Sequence, residues 1–267
     1  MSATAIGRNL LRASSLCLCL SLLPLAAEPQ APDSKEAVIN AFMAARTLPD
    51  NTEARKLMTA ALEGRYLTNK KLSTRVRGGR VAAFDYDPTR IQTSGEKEFQ
   101  VEMSCIWADW NERAYETQIE LLKFVKVRND WLADEIHFVR SVPFHGLSPF
   151  SLEQQKVGKD ALVVAKKFAK AIVNRDPKQA TQCVTEEYQN QFREPEAWEK
   201  FIAGPSAPRY AAYDLRDATF KGMSEVEVKI GLYQTEWGKR GFKAVEARLS
   251  VQEGRTNWQV DDFQLIQ

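Results

Sequence analysis

Histidine is nearly missing from this chain: two residues, His137 and His145, in a sequence of 267. No histidine pair stands at helical spacing and no Cys-x-x-Cys occurs, so the usual ligand patterns of zinc and related metals are excluded. Cysteine is almost as scarce. Four are present, and Cys17 and Cys19 fall in the first 27 residues, leaving Cys105 and Cys183. Two cysteines make no disulfide framework, and they read as one buried thiol in each half of the chain. There is no Gly-rich phosphate loop and no Gly-x-Ser-x-Gly elbow; Arg77-Gly78-Gly79-Arg80 reads as a turn. A large excess of one charge is also lacking, since 37 basic residues face 35 acidic ones. That balance argues against nucleic acid as a partner.

What is present suits a globular chain, with 44% apolar, 27% charged and 10% aromatic residues. Residues 1–27 have a character of their own. Arg8 and Arg12 precede a Leu/Cys/Ser-rich run from Ala13 to Leu25, then Ala26-Ala27 before Glu28-Pro29. A positive start, a short apolar core and small residues at the end predict a secretory signal peptide, hence a periplasmic or extracellular protein. The apolar run is shorter than the roughly 20 residues a spanning helix needs, and Pro24 interrupts it, so the processed chain is not expected to span a membrane.

The remainder reads as one unit written twice. Asn129-Asp130-Trp131-Leu132-Ala133-Asp134-Glu135-Ile136 returns as Thr256-Asn257-Trp258-Gln259-Val260-Asp261-Asp262-Phe263, and the interval from Trp131 to Trp258 is the length of one small domain. A helical stripe of Val38, Ile39, Phe42 and Ala45 is matched by Val164, Ala165, Phe168 and Ala171. Asp50-Asn51-Thr52-Glu53 and Asp176-Pro177-Lys178-Gln179 both read as capping boxes opening a second helix, with apolar positions at Ala54, Leu57, Met58 and Leu62 in the first. A third helix is expected at 69–77 and again at 194–203. Period-two strands follow through Phe99, Val101, Met103, Cys105 and Trp107, and through Val226, Val228, Ile230 and Leu232. Tyr86-Asp87 and Tyr213-Asp214 read as equivalents on the strand before. The predicted organisation is a signal peptide at 1–27, copy one at 33–140, a Pro/Gly-containing linker at 141–159 and copy two at 160–267. Each copy is an α+β domain with its helices packed on one face of a mostly antiparallel sheet.

Helices followed by long strands and a closing Trp-x-x-Asp-Asp/Glu-apolar strand resemble the nuclear-transport-factor-2-like superfamily, which includes ketosteroid isomerases and SnoaL-like polyketide cyclases. The likeness rests on residues 131–136 and 258–263 and on the capped second helices. It implies two tandem cones of curved sheet wrapped on helices, each with a pocket at its wide end. Members of that superfamily act as enzymes, small-molecule binders or interaction modules, so the fold leaves function open.

Candidate residues can still be named. Asp109 and Glu236 occupy equivalent strand ends and continue the apolar parity; they read either as turn acids or as general bases of an isomerase, cyclase or dehydratase. Phe84, Tyr86, Trp107 and Tyr213 are core residues or pocket lining. Lys70, Lys71, Arg75, Arg77 and Arg80 form a solvated face or meet an anionic surface. His137 and His145 find no catalytic partner in the sequence, and no cofactor or metal is implied. The expectation is a non-catalytic binding or interaction protein. Its partner is a small apolar ligand or an envelope protein, and its two copies pair within one chain as a pseudo-dimer.

Overall fold

Two sheets follow one another along the chain, each preceded by the helices that cover it. The computed structural model describes residues 34–48, 50–68, 79–144, 152–222, 224–236, 239–254 and 257–266. The expected signal peptide, the expected helix at 69–77 with Lys70, Lys71, Arg75 and Arg77, and His145 lie outside those residues. Half one contains α1 (Lys35–Arg46), α2 (Thr52–Lys56), α3 (Ala60–Thr68), β1 (Gly79–Asp85), β2 (Gln92–Thr93), β3 (Glu98–Asp109), β4 (Ala114–Val127) and β5 (Asp130–Pro143). Half two contains α4 (Leu152–Asn174), α5 (Pro177–Thr181), α6 (Glu186–Asn190), α7 (Pro195–Ala203), β6 (Tyr210–Phe220), β7 (Glu225–Gln234), β8 (Lys243–Glu253) and β9 (Trp258–Ile266). The strand orders are β1-β3-β4-β5, with β2 on β3, and β6-β7-β8-β9; every strand pair is antiparallel. The fold class is α+β.

The stripes that mark the helices are the faces they bury. Val38, Ile39, Phe42 and Met43 of α1 enter a core with Phe99, Val101, Met103, Leu122 and Phe124. Ala165, Phe168 and Ile172 of α4 enter a second core with Val226, Val228, Ile230, Leu249 and Val251. Each fully buried side chain of this size contributes roughly 1.5–3 kcal/mol over exposure, so the cores rather than helix propensity hold these elements. Phe99 stacks on Phe124 with ring centroids 4.9 Å apart, and Trp131 meets Phe99 edge-on at the same separation.

The second helix of each half is broken where one continuous helix was expected. Met58 pairs in parallel with Ala133, and Val184 with Val260. Thr59 N–H donates to the Ala133 carbonyl at 2.8 Å; Thr185 N–H donates to Val260 at 2.9 Å. Each threonine then caps the next helix, its hydroxyl accepting from Leu62 N or Tyr188 N. The same hydroxyls donate to Asp134 at 2.8 Å and Asp261 at 3.0 Å. The first acid of the Trp-centred motif thus ties the helical layer to the closing strand. The second acid pairs along its own strand, Glu135 with His137 at 2.6 Å and Asp262 with Gln264 at 2.6 Å. Both members of the recurring acidic pair are therefore engaged in structure, in both halves.

Three expectations need adjustment. Asp176 caps α5 through Gln179 N at 3.0 Å as predicted, but the matching box in half one does not close: Asn51 is the cap residue, and Asp50 accepts from Thr52 N at 2.9 Å. The described residues of the stretch 141–159 are mostly in regular structure, since β5 runs to Pro143 and α4 begins at Leu152. Gly158 costs α4 only about 1 kcal/mol against alanine, which a 23-residue amphipathic helix outweighs. Sheet register also realigns the first strands. Phe84 faces Cys105 and Asp85 faces Ser104, while Tyr213 faces Leu232 and Asp214 faces Gly231. Leu232 and Gly231 follow Cys105 and Ser104 at the same interval that separates Trp258 from Trp131, so Tyr213-Asp214 corresponds to Phe84-Asp85 and not to Tyr86-Asp87. Cys105 and Cys183 are free and buried.

Both halves lie within one compact unit, Pro32–Gln267. They meet through a cluster of mostly small residues, Ala82, Ala83, Ile106, Ala108, Ala114 and Ala212, closed by Tyr233. Phe144 packs on Tyr233 with centroids 5.5 Å apart. Their backbone bonds are reciprocal. Tyr213 N–H donates to the Glu112 carbonyl in the β3–β4 turn at 2.9 Å, and Gly241 N–H, in the β7–β8 turn, donates to the Phe84 carbonyl at 2.9 Å. Phe84 and Tyr213 are the residues that sheet register makes equivalent, so each half grips the other's turn at the same place.

Candidate functional site: one sealed interior, one open pocket and a basic cleft

The interiors of the halves differ where α1 and α4 end. In half one Arg46 is completely buried and Glu120 is 2% exposed. Arg46 Nη1 donates to Glu120 Oε2 at 2.7 Å and Nη2 to Oε1 at 3.4 Å, a bidentate pair. Burial opposes the guanidinium charge, but the attraction and hydrogen bond of Glu120, together with Tyr66 and Cys105, outweigh that cost, so the guanidinium holds its proton more tightly than usual. Tyr66 and Cys105 adjoin the pair, and burial pushes both of their pKa values up. Arg46 Nε has no hydrogen-bond partner among the described residues. Phe42 and Trp107 flank the guanidinium with their faces 5.9 Å away, so among the described residues the side chains close around the pair.

Half two carries Ile172 and Ala247 at the corresponding positions, both buried and apolar. Ile172 borders an apolar pocket of about 260 Å³, walled by Phe201, Ile202, Tyr210, Phe263 and Leu265. Phe201 and Leu265 stand at its rim, partly exposed. Lys200 supplies a cation at the edge.

A second opening, of about 210 Å³, lies between the halves. Arg80 reaches it from half one; Arg175, Arg209, Lys239 and Glu236 reach it from half two. Arg80 is fixed by Glu112 at 2.5 Å and by the Ala211 carbonyl at 3.3 Å. Arg175 adopts φ 55, the left-handed turn that ends α4. Its guanidinium donates to the carbonyls of Ala203 at 2.7 Å, Ala207 at 3.2 Å, and Gly204.

The sequence-named residues fall into three groups. Trp107, Tyr86 and Tyr213 are core residues. The Tyr86 hydroxyl donates to Asn40 at 3.2 Å, and Arg240 of half two sits 5.2 Å above its ring. Phe84 belongs to the core of half one and also borders the inter-half cleft, together with Arg80 and Glu236. Asp109 stands apart. Its Oδ1 accepts from Asn111 N at 2.8 Å and Arg113 N at 3.1 Å, and its Oδ2 lies 3.3 Å from the Arg113 guanidinium. Those bonds build the β3–β4 turn. Glu236 pairs with Lys239, both side chains 72% exposed. The two carboxylates thus follow corresponding strands but do not meet: Asp109 is tied into its turn and Glu236 is paired at the exposed mouth of the inter-half cleft. Sequence reasoning did not single out Arg46, Glu120, Arg175 or Arg209. Arg46 closes a helix and Glu120 alternates within a strand, and a whole run of helices and strands separates the two along the chain.

No family model matches the chain, and no curated protein does. Among solved structures it is similar to an Ntf2 like protein involved in plasmid conjugation, at 11% identity over 70% of this chain and 77% of that one, with a TM-score of 0.28. It is also similar to a SEC-C motif containing protein from Rhodopseudomonas palustris, at 11% identity over 46% of this chain and 99% of that one, with a TM-score of 0.30.

Proposed function

We propose that the chain is an exported, non-catalytic binding protein built from tandem nuclear-transport-factor-2-like halves, and that half two holds a small, uncharged apolar ligand. The observation that carries this reading is the pocket beside Ile172: about 260 Å³, lined by aliphatic and aromatic side chains, in the half that lacks the Arg46–Glu120 seal. Its volume lies just under the range of roughly 300–1,000 Å³ typical of drug-sized ligands, which favours a compact molecule of no more than about three rings. Export rests on the Arg8/Arg12 start and the apolar run ending at Leu25. The non-catalytic reading is favoured by the placement of Asp109 and Glu236, one tied into a turn and the other paired in solvent.

Fluorescence titration with N-phenylnaphthylamine tests the binding claim. Saturable binding is expected, lost on Phe201→Lys at the rim while the melting temperature stays within a few degrees. A Phe201→Lys protein that binds the probe as well as the parent would sink the assignment. The enzymatic alternative is an isomerase, cyclase or dehydratase using Asp109 or Glu236. Turnover of a candidate substrate that disappears in the double variant D109N/E236Q, with the fold intact, would replace the non-catalytic reading with that one.

A further inference from the structure

We infer that the cleft between the halves is a second binding site, adjoining the apolar pocket at Tyr210, for a small organic anion with a carboxylate or phosphate head and an apolar body. Charge is the first observation. The inner cleft presents Arg80, Arg175, Arg209 and Lys239 against the single carboxylate of Glu236. It is continuous with an outer groove that shares Arg209, Glu236 and Lys239 and adds Arg240 and Lys243. Among the described residues, six cations and one carboxylate therefore line one concavity of a chain whose net charge is only +2. A concave, low-dielectric wall lined by one sign of charge focuses its field and draws counter-ions inward.

Preorganisation is the second. Arg175 is held by three neutral carbonyls, which fix the direction of the guanidinium without cancelling its charge. Fixing a planar donor fork before a ligand arrives lowers the ordering cost of binding. Arg80 is anchored on both halves, through Glu112 and the Thr47 carbonyl on one and the Ala211 carbonyl on the other. Glu112 offsets its charge, so Arg80 shapes the wall more than it attracts.

The third is the floor, where Ala82, Ala83, Val173 and Tyr210 offer apolar surface beneath the cationic rim. A bare inorganic ion would leave that surface unused. The inner volume, about 210 Å³, suits a small molecule and not a polymer strand. Because both halves wall the site, it exists only when they are joined.

Calorimetry on the full chain with phenyl phosphate, inorganic phosphate and phenol reads this directly. Phenyl phosphate is expected to bind more tightly than inorganic phosphate, phenol not measurably, and the phenyl phosphate affinity to fall with added salt. The double variant R209Q/K239Q changes two exposed side chains and should weaken phenyl phosphate about tenfold or more. E236Q removes the one carboxylate and should tighten binding severalfold, the opposite of its effect on a catalytic base. Phenol binding as well as phenyl phosphate, an unaffected R209Q/K239Q protein, or heparin displacing phenyl phosphate as a tighter ligand would each overturn the proposal. N-phenylnaphthylamine titrated into the same samples separates the two sites. Probe binding that survives while phenyl phosphate fails to bind would leave the apolar pocket standing and remove only this site.

Discussion

Half one buries an ion pair in its interior; half two has Ile172 and Ala247 in the same places, and a pocket borders Ile172. The shared elements locate the scaffold, and the difference locates what each half can do. A buried Arg–Glu pair is weak support for stability, because desolvation of two charges offsets most of their attraction. It is strong insurance against a ligand, because removing or displacing either partner strands the other in a dry interior. An aliphatic pair at the same positions carries no such penalty and leaves room.

The largest expected effect follows from that contrast. Arg46→Ile alone, or Glu120→Ala alone, should lower unfolding free energy by about 3–5 kcal/mol in urea denaturation, since each leaves a buried charge unpaired. The double variant copies half two and should lose far less than either single change, a large coupling in a double-mutant cycle. Additive losses would mean that the ion pair does not act as a unit. At the corresponding place in half two, Ile172→Met should cost under about 1.5 kcal/mol.

Where the halves agree, their mutants should agree. Thr59→Ala and Thr185→Ala each remove a helix cap and a hydrogen bond to the closing-strand aspartate, so each should cost about 1–2 kcal/mol. A loss confined to one half would break the equivalence of the two clamps.

The contact between the halves gives a pH-dependent test. Burial first, and then the negative charge of Asp109 in the other half, raise the Tyr213 hydroxyl to about 12. The folded state therefore holds this proton more tightly than the unfolded chain. The corresponding stability is fully present below pH 10 and is lost as pH rises through about 12. Absorbance of tyrosinate should show a late-ionising group that Tyr213→Phe removes and Asp109→Asn shifts to lower pH. Glu236→Gln, at an exposed pair, should change stability by less than about 0.5 kcal/mol.

Much of the scaffold was legible because its signals are periodic. The period-two runs through Phe99–Trp107 and Val226–Leu232 fall within β3 and β7, and the stripes of α1 and α4 pack into the two cores. The broken second helix was not legible, because Met58 and Val184 leave the helix to pair with the closing strand at the far end of each half, and local propensity carries no trace of that partner. Matching Tyr86-Asp87 to Tyr213-Asp214 failed for a related reason: residue identity suggested one alignment, and the hydrogen-bonded register imposed another. The candidate sites were half visible. Arg80, Glu236 and Phe84 were named, and the fold gathers all three around one cleft, but Arg175 and Arg209 join them only through tertiary structure.

Half two keeps a pocket beside the position where half one buries an ion pair, and matched rim substitutions read that contrast directly. Phe138 and Leu265 hold equivalent positions on β5 and β9, and both are exposed. Affinity for N-phenylnaphthylamine should fall about tenfold or more in Leu265→Glu and stay unchanged in Phe138→Glu. Equal losses in the two variants, or a loss confined to Phe138→Glu, would contradict it.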